Sequence, residues 1–327
     1  MSYLLTADTH FTDQAKDAYR FDIFKWLRQQ QKLHKPEATF LLGDLTAQKD
    51  KHSSFLTNKL VEGVLSLEPP LFILKGNHDY IDPDFAFFKF LRHIEGIRFI
   101  SKPTEWHHIG LLPHIRGQQE FDEAVRSFKD ELDFLFIHQC VEGAIAETGA
   151  RLSGTSTAAI EENPPRLGVY AGDIHRPQQV GIVTYVGAPY HVRFGDAFDP
   201  RVLLLHKNGK SENLHFDCPR KWSLTVRSAD EIIGNKQLFE GDQIKVTIEL
   251  ASEEATEWRT YKQEVIEACR TMKLEVFGVD LKINKAKERR RNAVKAKIQP
   301  RDVLSAFCTH ERVPKDVREA GLIFLEG

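Results

Sequence analysis

Cysteine is scarce in this chain of 327 residues: Cys140, Cys218, Cys269 and Cys308 stand far apart and form no CxxC pair. That argues against a cysteine zinc cluster or a disulfide framework and reads as reduced cytoplasmic thiols. Long apolar runs are missing too, and none approaches the roughly 20 residues that a bilayer span needs. The opening MSYLLTADTH carries no basic segment and no extended apolar stretch, so it does not read as a secretory leader. Nor is there an excess of positive charge. The formal net charge is −2, so no global field advertises nucleic acid and any basic surface must be local. Repeats of solenoid period and low-complexity tracts are absent. These absences leave a soluble intracellular globular protein as the expectation.

Apolar residues make up 41% of the chain, enough to build a sizeable core at this length. Through the first two-thirds, short apolar runs alternate with amphipathic patterns. YLLTAD (3–8), ATFLLGD (38–44), LFILKGN (71–77), DFLFIHQ (133–139) and LGVYAGD (167–173) read as buried strands. Residues 18–33 and 54–67 carry apolar side chains three and four apart and read as helices. This alternation predicts an α/β sandwich with a largely covered sheet. Beyond residue 180 the pattern turns to strands, and a boundary falls near Pro219. A strand over 242–251, a helix over 253–272 and a strand over 273–283 predict a small α+β domain. The expected organisation is 1–218, 219–299 and a tail 300–327.

What ends the predicted strands is informative. The first runs into Asp8-Thr9-His10, the second into Gly43-Asp44, the third into Gly76-Asn77-His78-Asp79, the fourth into His138, and the fifth into Gly172-Asp173-Ile174-His175. Sites in open α/β sheets form outside the carboxyl ends of strands. Imidazole, carboxylate and a neutral amide oxygen together suit divalent Mn, Fe, Zn or Mg. Residues i and i+2 of a strand point the same way, so Asp8 with His10, and Asp173 with His175, are expected to converge by alternation. Glycines 43, 76 and 172 would let the chain bend as it leaves the sheet.

This succession resembles the calcineurin-like metallophosphoesterase superfamily, whose motifs run D-x-H, G-D, G-N-H-[D/E], H and G-H-x-H. All five blocks occur in order, with one departure: Asp173 stands where the family usually has histidine. The resemblance implies a two-metal phosphodiesterase. Asp44 would bridge the ions, Asp8, His10 and His175 would complete one site, and Asn77, His138 and Asp173 the other. The ions would activate hydroxide for in-line attack, with His78 protonating the leaving oxygen and Asp79 supporting it. Mn²⁺ is the expected metal, with Mg²⁺, Fe and Zn open. A carboxylate at 173 adds negative charge and should favour the harder ions.

The stretch GDIHRPQQVGIVTYVGAPYHVRFGD (172–196) is similar to SbcD-type nuclease subunits, and the second domain resembles their capping domain in position and element order. That implies a DNA exonuclease or endonuclease acting in DNA repair or recombination with an SbcC-type ABC ATPase. It would work in bacterial cytoplasm, or in host cytoplasm if phage-encoded, with a homodimer compatible. KINKAKERRRNAVKAK (282–297) holds eight Lys/Arg against one Glu. Lys285, Lys287, Arg289, Arg290 and Arg291 there, with Arg176 and His191, are candidate DNA contacts, and Tyr190 a candidate stacking group. A solvated helical face is the alternative for the basic run.

Other residues have plainer readings. His107, His108 and His114 read as surface or loop histidines, Cys140 as a packing group, and Trp222, Trp258 and Phe277 as core of the second domain. The long segment 139–165 is expected to form a rim or lid. The tail GLIFLEG (321–327) either docks a partner or packs back as a strand. Two rival functions stay open: a small-molecule phosphatase or cyclic-nucleotide phosphodiesterase, and a non-catalytic scaffold of the same fold.

Overall fold

Short, mainly apolar strands are expected to be covered on both faces, and the first three strands are buried at every position. The computed structural model describes residues 1–128 and 131–284. One sheet contains β1 (Ser2–Thr6), β2 (Ala38–Leu41), β3 (Leu71–Leu74) and β4 (Ile97–Ile100). A second contains β5 (Thr104–Trp106), β6 (Ile109–Leu112), β7 (Phe134–His138), β8 (Gly168–Gly172), β9 (Gln178–Val180) and β10 (Val183–Tyr185). The chain then returns to the first sheet as β11 (Val202–His206) and β12 (Ser211–Leu214). The first sheet runs β12-β11-β1-β2-β3-β4, with β1 to β4 parallel and β11 antiparallel to β1; the second runs β5-β6-β7-β8-β10-β9.

Side-chain alternation divides the core into three. Tyr3, Leu5, Phe40 and Phe72 face Phe134, Phe136 and Tyr170 between the sheets. Leu4, Leu41 and Ile73 point the other way, onto Ile23, Phe24 and Leu27 of α1 (Asp22–His34) and Leu60 and Val64 of α2 (Ser54–Leu65). Leu135 and Ile137 of β7 pack on Phe121 and Val125 of α3 (Gln118–Arg126) and Ile160 of α4 (Ala158–Glu162). The result is a helix–sheet–sheet–helix sandwich, as the alternating pattern predicts. Ser53 caps α2 by accepting a hydrogen bond from the Leu56 N–H at 3.2 Å.

A third sheet, β13-β14-β15, comprises β13 (Lys221–Val226), β14 (Gln243–Ala251) and β15 (Glu275–Asn284), with β13 and β14 parallel. Helices α5 (Asp230–Ile233) and α6 (Trp258–Thr271) accompany it. Met1–Ile248 and Arg259–Leu281 form one compact unit; Glu249–Trp258 and the chain from Lys282 belong to another. Phe277 is not core, since it stays 37% exposed. Lys285, Lys287, Arg289, Arg290, Arg291 and the tail lie outside the described residues. Strands β4, β5 and β6 and helix α3 escape the sequence reading, because IRFI, TEW and IGLL are too short to show a period.

The start of β13 is tied to the rest of its unit by buried charge. Lys221 Nζ pairs with Asp17, whose other oxygen accepts from the Thr12 hydroxyl at 2.8 Å, and Arg20 lies 3.3 Å from the same carboxylate. Arg20 also donates to the carbonyls of His10 (2.6 Å) and Val192 (2.8 Å). Burial, then the Arg20 charge, push the Lys221 amine down to about 8. Asp17 is therefore the counter-ion for two buried cations. Asp17→Asn should lower the unfolding free energy by about 3–5 kcal/mol, the usual result of leaving buried charge unpaired. Urea denaturation checks this, and a loss below about 1 kcal/mol would show that the pairs are hydrated.

Candidate metal centre

Each functional segment begins where a strand has just ended, and the backbone kinks there. Asp8 and His10 lie past β1 with φ of 53° and 40°; Asp44 lies past β2 at 55°, and Asp173 past β8 at 88°. These are four of the seven non-glycine residues with positive φ among the described residues. Such a conformation is uncommon outside glycine, although Asp and His tolerate it better than most residues. Strand alternation is thus not what brings Asp8 to His10 or Asp173 to His175. Left-handed turns do it, and the expectation from alternation is corrected.

Backbone pairing holds the turns together. Asp8 N–H donates to Gly43 O (3.2 Å), His10 N–H to Asp44 O (3.0 Å) and Phe11 N–H to Leu45 O (2.9 Å), so the loops after β1 and β2 run side by side. Asp79 is 1% exposed, and its carboxylate accepts from the backbone N–H groups of Asp44 (3.0 Å), Leu45 (3.0 Å) and Gly76 (2.7 Å). It anchors two ligand loops. No proton-transfer role follows from this placement, and the expectation of a catalytic Asp79 becomes one of positioning. A Cβ at Gly43, where φ is +95°, would overlap the His138 ring, and one at Gly76 would strike the Asp44 carboxylate.

The side chains converge in two groups. Ligand atoms of Asp8, His10 and Asp44 lie within 4.8 Å of one another, and so do those of Asp44, His138 and Asp173. Asp44 belongs to both. Its Oδ2 is 3.4 Å from His10 Nε2, and its Oδ1 is 3.4 Å from His138 Nε2 while accepting from the His78 backbone N–H at 2.8 Å. His175 joins the first group, with Nε2 3.0 Å from His10 Nε2. Asn77 joins the second, donating from its amide nitrogen to Asp173 Oδ1 at 2.9 Å. His78 stands at the edge, its ring centroid 4.9 Å from that of His10. Its Nδ1 faces Ala47 O at 3.0 Å, and a carbonyl only accepts, so Nδ1 carries the proton and Nε2 stays free.

The residues fit a pair of divalent cations. Four buried atoms in the cluster have no hydrogen-bond partner: Asp8 Oδ2, Asn77 Oδ1, His138 Nε2 and His175 Nδ1. Asp8 Oδ2, Asn77 Oδ1 and His138 Nε2 are lone-pair acceptors left unshared, which is costly in a buried place unless something electropositive is bound. Two imidazole nitrogens 3.0 Å apart match adjacent ligands at about 2.1 Å from one ion. His138 Nδ1 faces Leu42 O at 2.5 Å, which fixes the tautomer and leaves Nε2 as ligand. Burial raises the Asp8 and Asp44 carboxyls well above their ordinary range and lowers His10, which keeps that imidazole neutral and able to coordinate.

Two contributors carry no motif. Glu147, in the ordered segment between bridges Val141↔Thr155 and Ile145↔Arg151, accepts from the His175 backbone N–H at 3.2 Å and lies 3.5 Å from His175 Nδ1. That segment is a rim of the site, as expected. His114 is a loop histidine, half-buried beyond the end of β6: its Nδ1 is 2.8 Å from the Tyr80 hydroxyl, its ring is 6.1 Å from that of His138, and burial pushes it down to about 3. Nothing short of the fold links Glu147 or His114 to the motifs. Cys140 is raised to about 11 by burial, a thiol and no nucleophile.

Two predicted nucleic-acid contacts are corrected. His191 is 2% exposed, with Nε2 on Phe198 O (3.0 Å) and Nδ1 accepting from Lys221 N–H (3.2 Å). Tyr190 is buried and donates to Thr9 O at 2.5 Å. Both are structural supports, and neither has a face left for a nucleotide. Arg176 lines a separate cleft with Asp199 and Arg201.

A four-layer sandwich that gathers Asp and His side chains at its strand ends defines a metal-dependent phosphoesterase. The chain belongs to the calcineurin-like phosphoesterase family, whose sequence profile matches residues 1–177. No match to a curated protein was found. No helix among the described residues is long and apolar enough to cross a membrane.

Glu147→Gln should weaken Mn²⁺ binding by about 10–100-fold, the usual effect of removing a partner that orients a ligating histidine. Gly43→Ala should weaken it at least as much, because the His138 ring must move. Isothermal titration calorimetry checks both; unchanged affinity in both variants would separate these residues from the metal.

Proposed function

We propose that the protein is a two-metal phosphodiesterase that cuts DNA, an SbcD-like nuclease subunit working with an SbcC-type ABC ATPase. The observation that carries the metal-dependent reading is Asp44, one buried carboxylate common to two ligand groups. Asp8, His10 and His175 would hold one ion with it, and Asn77, His138 and Asp173 the other. When bound, such ions neutralise charge on a phosphoryl group and lower the pKa of water.

The chain's own groups divide the remaining work. Ala47 O holds the Nδ1 proton of His78 and leaves Nε2 to take up a second proton from solvent; as imidazolium the ring would give that Nε2 proton to the leaving oxygen. Asp79 holds the Asp44 and Gly76 loops in register, and Glu147 does the same for His175. Asp173, a carboxylate where the family usually has histidine, adds negative charge to the second group and favours Mn²⁺ or Mg²⁺ over softer ions. The DNA reading is supported by the SbcD-like order of residues 172–196 and by the basic run 282–297, in a segment (219–299) that would serve as a cap.

Mn²⁺-dependent digestion of labelled linear and hairpin DNA tests this, with a chromogenic phosphodiester as control. His78→Ala should lower kcat by about 10²–10⁴ while Mn²⁺ still binds. Strong turnover of the chromogenic ester with no turnover of DNA would favour a small-molecule phosphodiesterase. Asp173→His should shift the metal preference away from Mn²⁺ and Mg²⁺, and an unchanged preference would remove Asp173 from the second group.

A further inference from the structure

Beside the ligand cluster lies a cleft of about 420 Å³ that the metal site does not use. His10, His78 and Arg193 line this cleft and the ligand pocket alike, so the two open into each other. Their charges are opposed. The ligand cluster is acidic, whereas the cleft wall carries Lys16, Arg20, Arg193, Lys221 and Lys245 against the single carboxylate of Asp17.

Two of the five cations are already committed. Arg20 and Lys221 share Asp17, and Arg20 also donates to the carbonyls of His10 and Val192. Lys16, Arg193 and Lys245 have no ion pair among the described residues, and Arg193 and Lys245 are exposed. The two lysines lie against aromatic faces: Lys245 Nζ is 4.8 Å from the Phe194 ring and Lys16 Nζ 5.9 Å from the Phe277 ring. Those rings are 5.5 Å apart and neither is buried.

A substrate with one phosphate is matched by the ligand cluster and leaves this wall with nothing to bind. A nucleic-acid strand carries a charge about every 3.4 Å of helix axis and offers a flat base beside each phosphate. Grooves that follow single strands combine cations with aromatic platforms in this way. The geometry points to a substrate subsite: Lys16, Arg193 and Lys245 take the phosphate next to the one being cleaved, and Phe194 takes the neighbouring base. This rests on the phosphodiesterase reading above and names the part of the chain that selects a polynucleotide over a small ester.

The test is fluorescence anisotropy of a labelled oligothymidylate of about twelve nucleotides, in EDTA so that no cleavage occurs. Wild type, Lys16→Gln/Lys245→Gln and Phe194→Ala are compared across a salt series, with melting curves to verify folding. The double variant should bind at least tenfold more weakly, with a log Kd against log salt slope shallower by about 1.4, from two lost single-strand phosphate contacts. Phe194→Ala should weaken binding with the slope retained. Wild-type affinity in the double variant, weaker binding with an unchanged slope, or no binding by wild type would each overturn the subsite. Binding that follows the expected pattern, with no DNA cleavage on adding Mn²⁺ but hydrolysis of bis(p-nitrophenyl) phosphate, would support the subsite and overturn the DNA-cutting reading instead.

Discussion

A carboxylate removed from water needs hydrogen bonds or positive charge around it, and Asp44 is placed where the site depends on that compensation. Its side chain is 2% exposed and belongs to both ligand groups. One oxygen takes the His78 N–H, and each lies 3.4 Å from an imidazole nitrogen, Oδ2 from His10 and Oδ1 from His138. A pair of divalent ions would supply the missing charge to Asp44 and to the orphaned atoms of Asp8, Asn77 and His138 at once. The remaining architecture keeps that carboxylate in one position, through the Asp79 anchor behind it and the close approach of Gly43 and Gly76.

Strain and packing are linked here. Four ligand-bearing residues sit in left-handed backbone, a conformation costing roughly 1–3 kcal/mol each where a side chain does not favour it. They are retained because the loops after β1 and β2 bond to each other, and because Arg20 and Tyr190 clamp the carbonyls of His10 and Thr9. Arg20 in turn is held by Asp17, which also receives Lys221 from β13. A buried ion network thus connects the backbone of a ligand loop to the first strand of the third sheet. Asp17, Arg20 and Lys221 also line the basic cleft, so the groups that position His10 border it as well.

The sandwich was legible because its central strands are short, mainly apolar runs: YLL, ATFL and LFIL read as buried on both faces. The site was legible because Asp, His and Asn follow those strands directly. Its geometry was not. Alternation placed Asp8 with His10 for the wrong reason, since β1 ends at Thr6 and positive φ does the turning. Glu147, His114 and the Asp17–Arg20–Lys221 network reach the site or its supports through tertiary contacts, and no local pattern marks such contacts. His191 and Tyr190 looked available because they follow the motif region, yet hydrophobic closure buries both. Phe277 erred in the opposite direction: an aromatic in a strand is normally core, and here it flanks an open cleft.

Two cations sharing the Asp44 carboxylate are the centre of this account, and anomalous scattering from crystals grown with Mn²⁺ tests it most directly. Two peaks about 3.5–4 Å apart are expected, one among Asp8, His10 and His175, the other among Asn77, His138 and Asp173, with Asp44 between them. Density for no ion at saturating Mn²⁺, or for ions bound away from Asp44, would contradict it.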